Sequence, residues 1–100
     1  MELNKKNILW ADDEIESLKP HIMFLEDKGY NVIAVNSGED AIDMCSKKKI
    51  DVLLIDEMMT GLDGLSTVGI IKDKYTDIPI IMVTKNEEEW LMEEVIGVKI

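Results

Sequence analysis

The chain has 100 residues, 46% of them hydrophobic, with 21 acidic against 11 basic side chains and a formal net charge of -10. That length fits one small domain with a single core, so residues 1–100 are read as one unit, and the acid excess opposes nucleic-acid phosphates while favouring cations or a basic partner. Direct nucleic-acid binding by this segment is not expected, the lone Cys45 cannot close an internal disulfide, and no apolar stretch near Met1 is long enough for a signal peptide or membrane span, which points to a reducing cytoplasm.

Residues MELNKKN lead into the first apolar run, Ile8-Leu9-Trp10-Ala11. It does not alternate, which predicts a strand covered on both faces, as in a parallel sheet. A helix follows. Starting it at Ser17 places Pro20 in the first turn, where its missing N–H costs little, and Lys28-Gly29-Tyr30 ends it with glycine in the left-handed position. Val32-Ile33-Ala34-Val35 is a weaker second strand. Ser37 then caps a helix from about Gly38 to Lys48, with Asp40 as a near capping box and Lys47-Lys48-Lys49 where a helix C-terminus favours positive charge. Cys45, in AIDMC, shares one side of that helix with Ala41 and Ile42 and is expected to be a small buried thiol.

The third strand is Val52-Leu53-Leu54-Ile55, and the chain then turns abruptly acidic at Asp56-Glu57. Asp63-Gly64 lie in the following loop, where the glycine suits a tight turn. Ile80-Ile81-Met82-Val83 is the fourth strand, ending at Thr84. Asn86 with Glu87-Glu88-Glu89 reads as another helix start. Trp90, Leu91, Val95 and Ile96 give that helix an apolar face with nothing after Ile100 to cover it. The order βαβαβαβα predicts an α/β fold built on an open parallel sheet.

In such a sheet the strand C-termini emerge on one edge, where ligands bind. Asp12 and Asp13 follow the first strand, Asp56 the third and Thr84 the fourth, so residues far apart in sequence are expected at one rim. Each acid alone has an ordinary reading as a loop residue or helix cap, and their joint placement is what points to a site. Three adjacent carboxylates repel one another unless a cation neutralises them. Mg2+ suits hard oxygen ligands held together with phosphate oxygens, while His21 stands alone and offers no softer site with Cys45. A carboxylate beside such an ion can accept a phosphoryl group as an acyl phosphate, with the Thr84 hydroxyl placed to bond a phosphoryl oxygen.

The motifs ILWADDE, LLIDEMMTGLDG and IPIIMVT, in this order and at these separations, resemble the receiver domain of bacterial two-component response regulators. The resemblance covers nearly the whole chain. It implies a flavodoxin-like sheet of order 2-1-3-4, with Asp56 as phosphoacceptor, Asp13 and Asp56 binding Mg2+ directly, Asp12 acting through a metal-bound water, and the backbone carbonyl of Met58 completing the protein ligands. Thr84 would be the switch hydroxyl. The implied partners are a sensor histidine kinase or phosphotransfer protein and a downstream output domain outside this chain.

The chain departs from the family pattern in three places. Thr60 stands where proline is usual, expected to alter loop stiffness more than chemistry. Lys85 replaces a small residue, and such a cation can screen the acyl phosphate or pair with it. The fifth strand and fifth helix, with a lysine that contacts the phosphoryl group, have no counterpart before Ile100, and Lys99 comes too early for that role. The domain is therefore expected to be C-terminally incomplete, with self-association through the exposed side. Three other functions fit less well. A phosphorylation-independent interaction module would bind Mg2+ weakly or not at all. A Mg2+-dependent aspartyl-phosphate phosphatase of the haloacid-dehalogenase type needs a second aspartate where Met58 stands. A flavin carrier would need a phosphate-cradling loop in place of the acidic ADDEIES.

Overall fold

The computed structural model of the chain describes residues 5–83. Four strands, β1 (Asn7–Ala11), β2 (Asn31–Val35), β3 (Val52–Asp56) and β4 (Ile80–Val83), alternate with three α-helices, α1 (Lys19–Asp27), α2 (Gly38–Lys47) and α3 (Gly64–Lys74). The sheet is parallel throughout and runs in the order β2-β1-β3-β4. This is the flavodoxin-like arrangement expected. The readings of Thr84, Lys85, the Asn86 cap and the Trp90–Ile96 face, with the self-association built on them, lie outside the described residues. Among the described residues, no helix is long and apolar enough to cross a membrane.

The register sorts the apolar runs onto two faces. Leu9 pairs with Leu53 and Leu53 with Ile80, while Ala11 pairs with Ile55 and Ile55 with Met82. These side chains are fully buried and meet Ala41 and Cys45 of α2 and Val68 and Ile71 of α3 in one core. Burying each large aliphatic side chain there contributes about 1.5–3 kcal/mol. Right-handed crossovers put α2 and α3 on this side and α1 on the other. The second face carries Trp10 beside Leu54 and Ile81. Trp10 is buried, but Leu54 and Ile81 are only half-buried and no residue of α1 is buried. Cover on both faces thus holds for β1, whereas β2, β3 and β4 are fully covered on neither or one face among the described residues. Among the described residues, α1 packs toward β2 and leaves the second face of β3 and β4 less covered.

Local chemistry sets the helix ends. The first helix starts two residues later than expected, because a 3-10 turn at Ile15–Leu18 precedes it and Pro20 falls in the first turn of α1. At its end Gly29 adopts φ 100°, its N–H bonding Glu26 O and the Tyr30 N–H bonding Leu25 O. That is the 5→2 and 6→1 pair of a glycine C-cap. Ser37 Oγ accepts the Asp40 N–H at 3.0 Å, as the capping pattern predicts. Cys45 is buried, and desolvation raises its thiol pKa. Alkylation of the folded chain at neutral pH is therefore expected to be many times slower than in denaturant, as mass spectrometry after a timed iodoacetamide pulse would read.

The edge of the sheet opposite the acidic rim is tied by polar side chains. Asp51 Oδ2 accepts the Asn7 N–H at 2.7 Å, its Oδ1 pairs with Lys49 Nζ at 2.9 Å, and Asn31 Nδ2 donates to Asn7 Oδ1. The Asn7 N–H, then the Lys49 ammonium, hold the Asp51 carboxyl below the usual carboxylate range. A depressed folded-state pKa stabilises above the unfolded value of about 3.9 and is lost as pH falls through the folded value. Asp51→Asn should accordingly melt lower than wild type at pH 7, and the gap should close as the pH is taken below 3.9 in thermal melts followed by circular dichroism.

Candidate functional site

The register that builds the core also brings the acids together. Ala11 pairs with Ile55, so the next residues, Asp12 and Asp56, leave adjacent strands at the same rim. Both are only 1% exposed, although carboxylates are rarely buried, whereas Asp13 one residue on is exposed. One carboxylate oxygen from each of Asp12, Asp13 and Asp56 lies within 4.8 Å of the other two. Oxygens sharing one octahedral Mg2+ stand about 2.9 Å apart when adjacent and about 4.2 Å when opposite, from metal–oxygen lengths of about 2.1 Å. Separations within 4.8 Å therefore admit a small hard cation among the three, bound directly or through a water.

Backbone donors hold this cluster. Asp12 Oδ1 accepts the Glu14 N–H at 2.8 Å, and the Asp12 N–H bonds Val35 O at 3.1 Å. The Met58 N–H reaches Asp56 Oδ1 at 3.4 Å. The Glu57 N–H bonds Val83 O at 3.1 Å, which carries the β3–β4 pairing one step past Asp56. Val83 thus ends β4 at the same rim, immediately before Thr84, which is outside the described residues. Met58 itself is 71% exposed. Glu57 Oε1 is buried with no hydrogen-bond partner among the described residues. Beside it, a shallow hollow is lined by Asp13, Met58, Thr60, Asp63 and Leu65.

One expectation about the loop after Asp56 changes and another holds. The left-handed turn falls at Gly61, with φ 80°, and not at Gly64, which opens α3. Gly64 is required by close approach: a Cβ there would lie 2.9 Å from Glu57 Cα, 3.0 Å from Glu57 O and closer still to Asp56 O. Asp63 is the N-cap of α3, its Oδ1 accepting the Ser66 N–H at 2.8 Å, and that bond, then the Ser66 hydroxyl, lower its pKa. It is a cap, the ordinary reading for an acid before a helix.

Thr60 also makes contacts that its reading as a change in loop stiffness does not include. Its backbone N–H and its Oγ1 both donate to Asp13 Oδ2, each at 3.1 Å. A proline offers neither donor. Nothing in the sequence marks this pair, because 47 residues separate the partners.

A model of the response regulator receiver domain matches residues 8–100. Among curated relatives, the alkaline phosphatase synthesis transcriptional regulatory protein PhoP of Bacillus subtilis is 34% identical over 98% of this chain and 40% of its own length. The probable transcriptional regulator ycf27 of Cyanophora paradoxa is 38% identical over 84% of the chain and 35% of its own length. The chain thus spans well under half the length of either. Among solved structures, chemotaxis protein CheY4 of Vibrio cholerae superposes with a TM-score of 0.80 at 25% identity, covering 96% of this chain and 83% of that one. Response regulator TrrA of Thermotoga maritima, solved with Mg2+ and BeF, gives 0.79 at 28% identity, covering 90% and 80%. With the parallel 2-1-3-4 sheet and three acids at its rim, these matches place the chain in the response regulator receiver domain family.

Proposed function

We propose that this chain is the phosphoacceptor module of a two-component system, taking a phosphoryl group from a histidine kinase or phosphotransfer protein onto Asp56. The observation that carries the reading is the convergence of Asp12, Asp13 and Asp56 within 4.8 Å at one sheet rim. Asp13 and Asp56 would bind Mg2+ directly, Asp12 through a water, and the Met58 carbonyl would complete the protein donors. When bound, the ion offsets charge on the phosphoryl oxygens during transfer.

The protein's own part is mainly positioning. Asp56 is held by the β3–β4 pairing and by the Met58 N–H, so an oxygen is presented at a fixed place on the rim. As an Asp56 oxygen forms its bond to phosphorus, the donor's P–N bond breaks, the electron pair stays on the imidazole nitrogen, and that nitrogen is then protonated. Thr84, next in the chain after β4, is proposed as the hydroxyl that bonds the transferred group and couples it to a rearranged surface. The module assists its own phosphorylation and dephosphorylation and does not turn over outside substrates. The output would belong to a domain beyond this segment.

The reading is tested with acetyl phosphate as donor and intact-mass spectrometry. Uptake of one phosphoryl group with Mg2+, and none after chelation, is expected. Uptake indifferent to chelation would overturn the role of the acidic cluster. No Mg2+ binding by calorimetry would favour a phosphorylation-independent interaction module.

A further inference from the structure

We infer that Thr60 is a positioning residue for Asp13, holding that carboxylate so that one oxygen only faces a divalent cation; this rests on the Mg2+ reading proposed for Asp12, Asp13 and Asp56. A carboxylate oxygen has two lone-pair sites. The Thr60 N–H and hydroxyl both donate to Oδ2 of Asp13 at 3.1 Å, and Oδ1 receives no hydrogen bond among the described residues. Asp13 is exposed, unlike Asp12 and Asp56, which are buried at the strand ends. Without Thr60 the Asp13 side chain would turn among several rotamers and present either oxygen, or both. With it, Oδ2 is saturated and Oδ1 is left for the ion.

This arrangement bears on which ion is held. Mg2+ is small and octahedral and takes one oxygen from each carboxylate, whereas Ca2+ accepts six to eight oxygens and readily takes both from one carboxylate. Fixing Asp13 as a single-oxygen donor therefore favours Mg2+. Hydrogen-bond partners of metal ligands commonly change affinity by about 10-fold to 100-fold when removed. The loop geometry supports the assignment. Gly61, directly after Thr60, takes the left-handed turn that carries the chain away toward the Asp63 cap. Thr60 is itself exposed and outside the core, so its substitution leaves the packing intact.

Calorimetric titration with Mg2+ alone, and with Ca2+ alone, tests this on the chain and on Thr60→Val, Thr60→Ser and Thr60→Pro. Valine keeps the N–H and loses the hydroxyl, serine keeps both donors, and proline loses both. Expected are a Mg2+ affinity roughly tenfold weaker for valine, wild-type affinity for serine and a larger loss for proline, with Ca2+ affinity changing less than Mg2+ affinity in each case. Equal Mg2+ affinity in the wild type and the valine variant would overturn the inference while leaving the Mg2+ site in place. A parallel loss for both ions would overturn it too, since that reports a distorted loop. No Mg2+ binding by the wild type would instead defeat the reading on which the inference stands. Thermal melts without metal, expected to coincide for wild type, valine and serine, confirm that folding is not the cause.

Discussion

Asp56→Asn is expected to abolish phosphoryl uptake from acetyl phosphate, leaving no phosphorylated species by intact mass where the wild type shows one. Asparagine preserves the size of the side chain and can still take the Met58 N–H on its amide oxygen, so the fold at the end of β3 should persist. What is lost is the anionic oxygen. A neutral amide is a poor nucleophile toward phosphorus and a weaker partner for a divalent cation, and neither defect can be repaired by the neighbouring acids. Unchanged phosphorylation in Asp56→Asn would remove this residue as the acceptor and send the search to Asp12, Asp13 or Glu57.

The second large effect is expected at Gly64, and it separates two kinds of glycine in one helix. At Gly64 a methyl group would run into the Asp56 carbonyl and the Glu57 backbone. Backbone does not swing aside as a flexible side chain does, so either α3 shifts or the β3 end gives way, at a cost of about 1–3 kcal/mol or more. At Gly69 of the same helix a Cβ meets nothing within 4 Å, and its φ is not positive. Gly69→Ala should therefore stabilise by roughly 0.4–1 kcal/mol, through lower backbone freedom in the unfolded chain. Opposite shifts in thermal melting for Gly64→Ala and Gly69→Ala would establish the contrast. Because the strained contact lies on the carbonyl of Asp56 itself, Gly64→Ala should also weaken Mg2+ binding, whereas Gly69→Ala should leave it unchanged. A Gly64→Ala protein that melts and binds like wild type would mean that α3 can move without disturbing the rim.

Much of this molecule was legible in its sequence because the signals are local. Unbroken apolar runs gave the strands, Pro20 and Gly29 bounded the first helix, and Ser37 with Asp40 opened the second, each through contacts spanning a few residues. The acids at the ends of the first and third strands were legible as well, since parallel strands with short crossovers must send their C-termini to one edge. What the sequence could not determine is what depends on distance in space. The burial of Asp12 and Asp56 against the exposure of Asp13, the Thr60 donors on Asp13, and the reach of Gly64 to the Asp56 carbonyl all arise where loops from separate crossovers meet. Residue types and spacings encode which elements form and which residues reach the rim. The packing of α3 against the end of β3, and the fold of the loop between them, decide which carboxylate oxygens are held, which are covered and which remain to bind.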